Sequence, residues 1–411
     1  MRDFAEQGYN VVTAKQGADV HVINTCTVTS RSDGKCRRTI QRILRNHPDA
    51  TILVVGCLSQ VNADLLTTWQ GVDYILGSQE KHTIFQYFSE PGKQHQPQVV
   101  VQPFDPAVPA FGKQGAFEKQ TRAFLKIQDG CDNRCAYCIV PFARGPSRSI
   151  PRQDLLESAK RLLSQGHKEI VLTGVHVGDY GKESGGVSQL SDLLEALLLV
   201  PDMKRIRLSS LNPDDITHKL LAIIQNDSRV CRHFHIPVQS GSHTILRAMN
   251  RSYSPQFVKE RIQLIQKTLG PVGLGSDVIV AFPGETDALF QETVQLIESL
   301  PFTYLHVFPY SRRPGTKAFD MPNQVPSQVK KERAQILREL GEEKKRAFLQ
   351  FWVGKSIDVL FESKKMKGLM GGFSSEYVRV EVPFDPSWVN QVVSVKINEV
   401  HQGVLRGSAI L

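Results

Sequence analysis

The 411-residue sequence lacks any run of 18 apolar residues, so no membrane-crossing helix is expected. Its start, MRDFAEQGYNVV, lacks a basic stretch followed by an apolar one, so no secretory signal is visible there. The cysteines are few and odd in number: seven, of which three crowd together at Cys131, Cys135 and Cys138. An odd set without a secretory signal argues against a disulfide framework and for metal-bound thiolates in a reducing cytoplasm. Negative charge is also in deficit. Asp and Glu number 41 against 50 Lys and Arg, a net charge of +9. That balance admits a polyanionic partner without requiring one. Apolar residues, 41% of the chain, suffice for sizeable cores, and the length suggests two or three domains.

Patterning along the chain predicts an α/β multidomain protein. Up to residue 105, ADVHVINTC (18–26) and ATILVVGC (50–57) read as β-branched strands around a basic helical stretch, with a further short strand at 73–76. That alternation predicts a parallel α/β domain. Residues 91–120 are rich in Pro, Gln and Gly and read as a linker, with 106–120 as the segment between domains. From 121 to 345 six strand candidates alternate with helical segments: 122–128, 169–174, 205–210, 233–238, 275–282 and 304–310. They suggest a partial or closed α/β barrel with its site at the strands' C-terminal ends. A charged amphipathic helix over 330–352 leads into a tail, 346–411, whose short alternating runs predict a small antiparallel β-barrel.

The sharpest chemical signal is GCDNRCAYC, which sets Cys131, Cys135 and Cys138 at CxxxCxxC spacing after the strand RAFLKIQ. Soft thiolates suit iron–sulfur clusters, and three of them leave one iron of a [4Fe–4S] cluster open. Zinc is the weaker alternative, since it usually takes a fourth protein ligand and CxxC pairs.

A string of motifs in one order then resembles the radical S-adenosylmethionine (SAM) methylthiotransferases. They are NTCTVT (24–29), VVGCLSQ (54–60), KIQDGCDNRCAYCIVPFARG (126–145), LTGVHVGDYG (172–181), IRLSSLNP (206–213), HFHIPVQSGS (233–242), SDVIVAFPGET (276–286) and HVFPYSRRPGT (306–316). The resemblance implies an N-terminal cluster domain, a radical SAM barrel and a C-terminal TRAM domain. Its motif wording is similar to the branch acting on N6-threonylcarbamoyladenosine beside the anticodon of transfer RNA. The implied reaction puts a methylthio group on C2 of that adenine and consumes two SAM molecules. One supplies the radical and the other the methyl group. Isopentenyl-adenosine in tRNA and a ribosomal protein stand as alternative substrates, and an RNA-binding homologue inactive in sulfur transfer as an alternative function.

The resemblance assigns Cys131, Cys135 and Cys138 to the radical cluster, and Cys26 and Cys57 to a second [4Fe–4S] cluster. It also calls for a third N-terminal cysteine in an upstream LGC-like motif. This chain has none, so a truncated start is expected, with Cys36 as a weaker substitute. Cys231 reads as structural. Tyr137, Thr173, Gly174, Ser209, Ser210, Gln239 and Asp277 are expected around SAM, with Gly284 and Glu285 in a neighbouring turn and His176 in the loop after Gly174. Arg144 and Arg148, after the cysteine loop, suit a carboxylate or phosphate. Arg37, Arg38 and Arg42, in a stretch with Arg31, Lys35 and Arg45, are candidates for RNA phosphates. An electron donor such as a flavodoxin or ferredoxin is expected. No residue is singled out as a catalytic acid or base.

Overall fold

A computed structural model describes residues 2–13, 16–105, 121–366 and 368–410. The expected linker, 106–120, lies outside the described residues. The chain divides into two compact units, each assembled from separate stretches.

The first unit combines Met1–Gly115, Gly130–Ser147 and Ser311–Asp320. Its sheet is parallel, in the order β1 (Val20–Thr25), β2 (Thr51–Gly56), β3 (Tyr74–Leu76) and β4 (Gln98–Val100). The run TILVVG is buried at every position, as a central parallel strand requires. β4 is a departure from expectation. It lies inside the stretch read as linker, where three edge residues leave too short a pattern to stand out. The helix Ser30–Asn46 begins at Thr29, whose side chain accepts from the Ser32 N–H. It turns Cys36 and Ile40 onto Ile52, Val54 and Leu58 and its basic residues outward.

The second unit combines Ala116–Asp129, Arg148–Tyr310 and Met321–Leu411. It opens with β5 (Arg122–Lys126), then a short antiparallel pair, β6 (Gln128–Asp129) and β7 (Arg148–Ser149). The remaining barrel strands are β8 (Glu169–Thr173), β9 (Arg205–Leu208), β10 (His233–His235), β11 (Gly273–Val280) and β12 (Tyr304–Pro309). β5-β8-β9 and β10-β11-β12 form two parallel sheets, joined by single bridges at Ile206–Val230 and Ser210–His235. Among the described residues no ladder joins β12 to β5, so the barrel is partial. The helix Ser327–Trp352 packs along β12, with Gly341 against Leu305.

The tail forms a closed barrel of β13 (Ser356–Met366), β14 (Leu369–Ser374), β15 (Arg379–Pro383), β16 (Val392–His401) and β17 (Val404–Ala409). Its order is β13-β14-β15-β17-β16, and β15 pairs with β17 in parallel. The small barrel expected from the sequence is present, antiparallel at four of its five seams and parallel at this one. A closed ring with an odd number of strands cannot alternate direction at every seam. β14, LMGGFS, escaped the pattern search because of its paired glycines. A Cβ on Gly372 would stand 2.3 Å from the Leu360 carbonyl oxygen.

One buried ion pair ties these pieces together. Arg207 on β9 grips Glu169 on β8 through two hydrogen bonds, 2.8 and 3.2 Å. It also donates to the carbonyls of Ser374, the last residue of β14, and Ser375, the next, each at 2.9 Å. Arg205 donates to the Phe373 carbonyl at 3.0 Å. Replacing Glu169 by Gln strands a buried guanidinium, so the variant is expected to lose about 3–5 kcal/mol of stability. Urea denaturation of the two proteins side by side measures the difference.

Candidate metal centre

Cys131, Cys135 and Cys138 belong to the first unit. Their loop starts at Gly130, whose φ of +77° and close approach to Pro146 exclude a side chain; a Cβ would meet the Pro146 oxygen at 1.8 Å. The loop folds back on itself. The Cys131 N–H donates to the Gly145 carbonyl (3.1 Å) and the Cys138 N–H to that of Cys135 (3.0 Å). The three thiols are half-buried and carry no disulfide. Three soft donors on one tight loop fit three irons of a [4Fe–4S] cluster and leave the fourth iron to another ligand. Tyr137 is half-buried in the same loop.

Cys26 and Cys57 follow β1 and β2, whose register pairs Thr25 with Gly56, so the two cysteines leave neighbouring strands at one level. Thr25 stitches that end: its hydroxyl donates to the Val55 carbonyl (2.8 Å) and accepts the Leu58 N–H (3.1 Å). Arg144, on the helix Val140–Arg144 just past the cysteine loop, donates from Nε to the Cys57 sulfur at 3.1 Å. Ser78 anchors this helix by donating to the Ala143 carbonyl at 2.7 Å. The helix behind the loop is therefore held against the α/β sheet that carries Cys57. Arg144, expected to suit a phosphate or carboxylate, directs one of its N–H groups at a cysteine sulfur. Cys36, the weaker substitute for a third donor, faces the core of this unit. It is buried, and desolvation, followed by the nearby Asp33 charge, pushes its thiol up to about 11. Two thiols thus fit part of a second cluster's donor set.

In the second unit the expected SAM residues gather at the strand ends. Thr173 closes β8 and Gly174 follows it, with the Gln128 side chain accepting from Val175 and His176 N–H (3.0 and 2.9 Å). Ser209 and Ser210 follow β9 and line a cavity of about 1170 Å³. Gln239 takes a left-handed φ of +65°, its N–H donating to the Asp277 carbonyl (3.0 Å) and its own carbonyl accepting the Ile279 N–H (2.9 Å). Asp277, within β11, accepts from His235 Nε2 (3.0 Å) and His306 Nδ1 (3.2 Å). Burial alone would raise its carboxyl, but the two imidazoles hold it down at about 2. Arg148 sits on β7 opposite Asp129. Glu285 braces the turn at Gly284: it accepts from the Ala281 N–H (2.6 Å) and pairs with Arg333 (2.8 Å). Cys231 is fully buried, and desolvation pushes its thiol up to about 12, as befits a structural residue.

His176 proves to be a clamp. Its Nδ1 meets Asp179 at 2.6 Å and its Nε2 meets Asp215 at 2.7 Å, while Lys182 pairs with Asp179 at 2.6 Å. Burial works to lower its pKa, but the two carboxylates outweigh it and raise the imidazole to about 9. The loops after β8 and β9 are joined by this charged link. Histidines 235 and 306, which bracket Asp277, were not singled out from sequence. The alternation of HFH and YLH, with polar rings two residues apart on one strand face, is the signal that points to them.

Arg37, Arg38 and Arg42 are exposed on the helix Ser30–Asn46. Arg37, with Arg45 and Lys93, borders a cavity of about 670 Å³ that also includes Trp69. The exposed cations suit phosphate groups, while Trp69 belongs to the buried core of this unit.

The chain matches the Radical SAM superfamily over residues 125–297 and the Uncharacterized protein family UPF0004 over residues 1–77. It is 36% identical over 405 residues to the threonylcarbamoyladenosine tRNA methylthiotransferase MtaB of Bacillus subtilis, covering 96% of this chain and 88% of that protein. The protein of that name from Thermotoga maritima is 36% identical over 409 residues, covering 98% and 92%. A tRNA-2-methylthio-N(6)-dimethylallyladenosine synthase of Staphylococcus haemolyticus is 32% identical over 419 residues, covering 98% and 79%. Among solved structures, the radical S-adenosylmethionine methyltransferase TsrM of Kitasatospora setae superposes with a TM-score of 0.54 at 17% identity, over 74% of this chain and 67% of that one. This last likeness is one of fold.

The clamp carries a pH signature. A histidine raised from 6.5 to about 9 by folding adds stability that is complete below pH 6.5 and fades as pH rises through 9. Thermal unfolding of the wild type should therefore decline across that window. His176→Gln should be less stable at pH 6.5 and lose most of the decline; an unchanged slope would rule out the clamp.

Proposed function

We propose, for a chain that belongs to the methylthiotransferase family of radical SAM enzymes, that it methylthiolates C2 of the adenine in N6-threonylcarbamoyladenosine beside the anticodon of transfer RNA. The observation that carries this is similarity spread over nearly the whole chain to enzymes named for that nucleoside, 36% identical in both B. subtilis and T. maritima. The cofactors supply the one-electron chemistry: [4Fe–4S] clusters, and S-adenosylmethionine as radical source and methyl donor.

The chain's own residues hold and orient. Cys131, Cys135 and Cys138 hold the radical cluster, supported by their shared loop and its tight backbone closure. Cys26 and Cys57 hold the second, supported by their place at adjoining strand ends. Arg144 directs an N–H at the Cys57 sulfur, and hydrogen bonds to ligand sulfurs tune a cluster's potential. Thr173, Gly174, Ser209, Ser210, Gln239 and Asp277 are assigned to orienting SAM, and Tyr137 is assigned a cofactor role. Arg37, Arg38, Arg42, Arg144 and Arg148 are the basic residues nearest these roles that could meet RNA. In domain terms, residues 1–105 form the second-cluster domain, 121–345 the radical SAM barrel and 346–411 the TRAM domain. The enzyme works in the cytoplasm with a flavodoxin or ferredoxin as electron donor.

Anaerobically reconstituted protein, SAM, a reductant and tRNA bearing threonylcarbamoyladenosine should yield the 2-methylthio nucleoside on mass analysis of digested RNA. Product only from dimethylallyl-adenosine tRNA would assign the other substrate. Alanine at Cys131, Cys135 or Cys138 should remove about four irons per chain and abolish SAM cleavage. Cys57→Ala should spare SAM cleavage and abolish sulfur transfer; sulfur transfer retained by Cys57→Ala would strike it from the ligand set. Arg144→Met should keep the iron and shift the potential of the cluster bound by Cys57, read by redox titration.

A further inference from the structure

The large cavity of the second unit is lined by the inward faces of β8, β9, β10 and β12, by the helix Ser327–Trp352 and by the turn after β14. At about 1170 Å³ it has room for a whole modified nucleoside. Its wall carries a chain of linked polar groups. His233 Nε2 meets the Tyr304 hydroxyl (2.9 Å), which meets His235 Nδ1 (3.2 Å). His235 Nε2 then donates to Asp277 (3.0 Å), and Asp277 also accepts from His306 Nδ1 (3.2 Å). The chain ends at His306, whose side chain is 56% exposed. With Nδ1 committed to Asp277, Nε2 is the ring's other polar atom, and His306 is among the residues that line the cavity.

The relatives divide by the group on adenine N6. One class bears threonylcarbamoyl, which carries a carboxylate, a hydroxyl and a urea; the other bears dimethylallyl, a plain hydrocarbon. A hydrocarbon packed against His306 would take the half-exposed ring out of water without offering it a partner, which is unfavourable. A carboxylate would complete the chain. We infer that this cavity receives the threonylcarbamoyl substituent and that His306 is its specificity residue, donating from Nε2 to the threonyl carboxylate. The inference rests on the substrate proposed above and names the side chain that selects it. Asp277 has two effects here. It fixes the imidazole's orientation, and its hydrogen bond raises the pKa of His306, which favours the cationic form that grips an anion most strongly.

The experiment uses the full chain with both cofactors and synthetic anticodon stem-loops. These carry threonylcarbamoyladenosine, its methyl ester or dimethylallyl-adenosine. Wild type should prefer the free carboxylate to the ester by about ten- to a hundredfold in kcat/KM, the range for a lost hydrogen bond to a charged group. His306→Ala should lose that preference, through a KM raised for the free acid more than for the ester. His306→Gln, which keeps a neutral donor, should fall between. Three results would overturn the inference. One is a His306→Ala enzyme that still separates acid from ester. The second is stoichiometric zinc in the wild type that is lost in His306→Ala, since His235, Asp277 and His306 would then be metal ligands. The third is a wild type inactive on all threonylcarbamoyl RNA, which would also defeat the proposed function; the first two leave that function standing.

Discussion

Glu169 is the carboxylate on which the second unit depends. It is buried on β8, and the nearest groups able to repay its desolvation are Arg205 and Arg207 on the next strand. Those arginines also donate to backbone carbonyls at the end of β14. A single desolvated charge therefore specifies both the neighbouring strand and the seating of a segment more than 160 residues further along the chain. Desolvation works to raise the Glu169 pKa, yet the arginines more than offset it and the net shift is downward. The network is self-consistent only when every member is present.

The first unit relies on backbone geometry where the second relies on charge. Its cysteines are placed by strand register and by a loop too tight to admit a side chain at Gly130. Thiolate ligands need accurate positions more than they need neighbours, and parallel register supplies positions at low cost in sequence. Arg144 is where the two cysteine sets come under common control. It follows Cys138 in sequence and bonds to Cys57 in space.

Much of this was legible in the sequence. Long β-branched runs such as TILVVG and a helix as strongly patterned as Ser327–Trp352 declare themselves locally. The cysteine loop is legible because its chemistry is written in consecutive residues. The structure added what depends on partners distant in sequence. β4 is a strand only because β3 lies beside it. The parallel seam of the tail barrel follows from closure and strand number, which no window of residues contains. Cys36 looked like a spare thiol until Ile40, Ile52 and Leu58 surrounded it. His306 is unremarkable in YLHVFPY and gains meaning from Asp277 on the adjacent strand.

The first unit is not a segment of the chain, and this bears on how it is made. Ser311–Asp320 completes it: Arg313 pairs with Asp33 at 2.7 Å and bonds to Thr27, and Ser311 accepts from the Ser30 N–H at 3.1 Å. Those residues leave the ribosome only after twelve of the seventeen strands found among the described residues have been synthesised. The stretch just after Cys26 thus waits, during synthesis, for a partner some 280 residues downstream. On that account the framework around Cys26 is finished late, after most of the second unit's barrel strands are already available to fold.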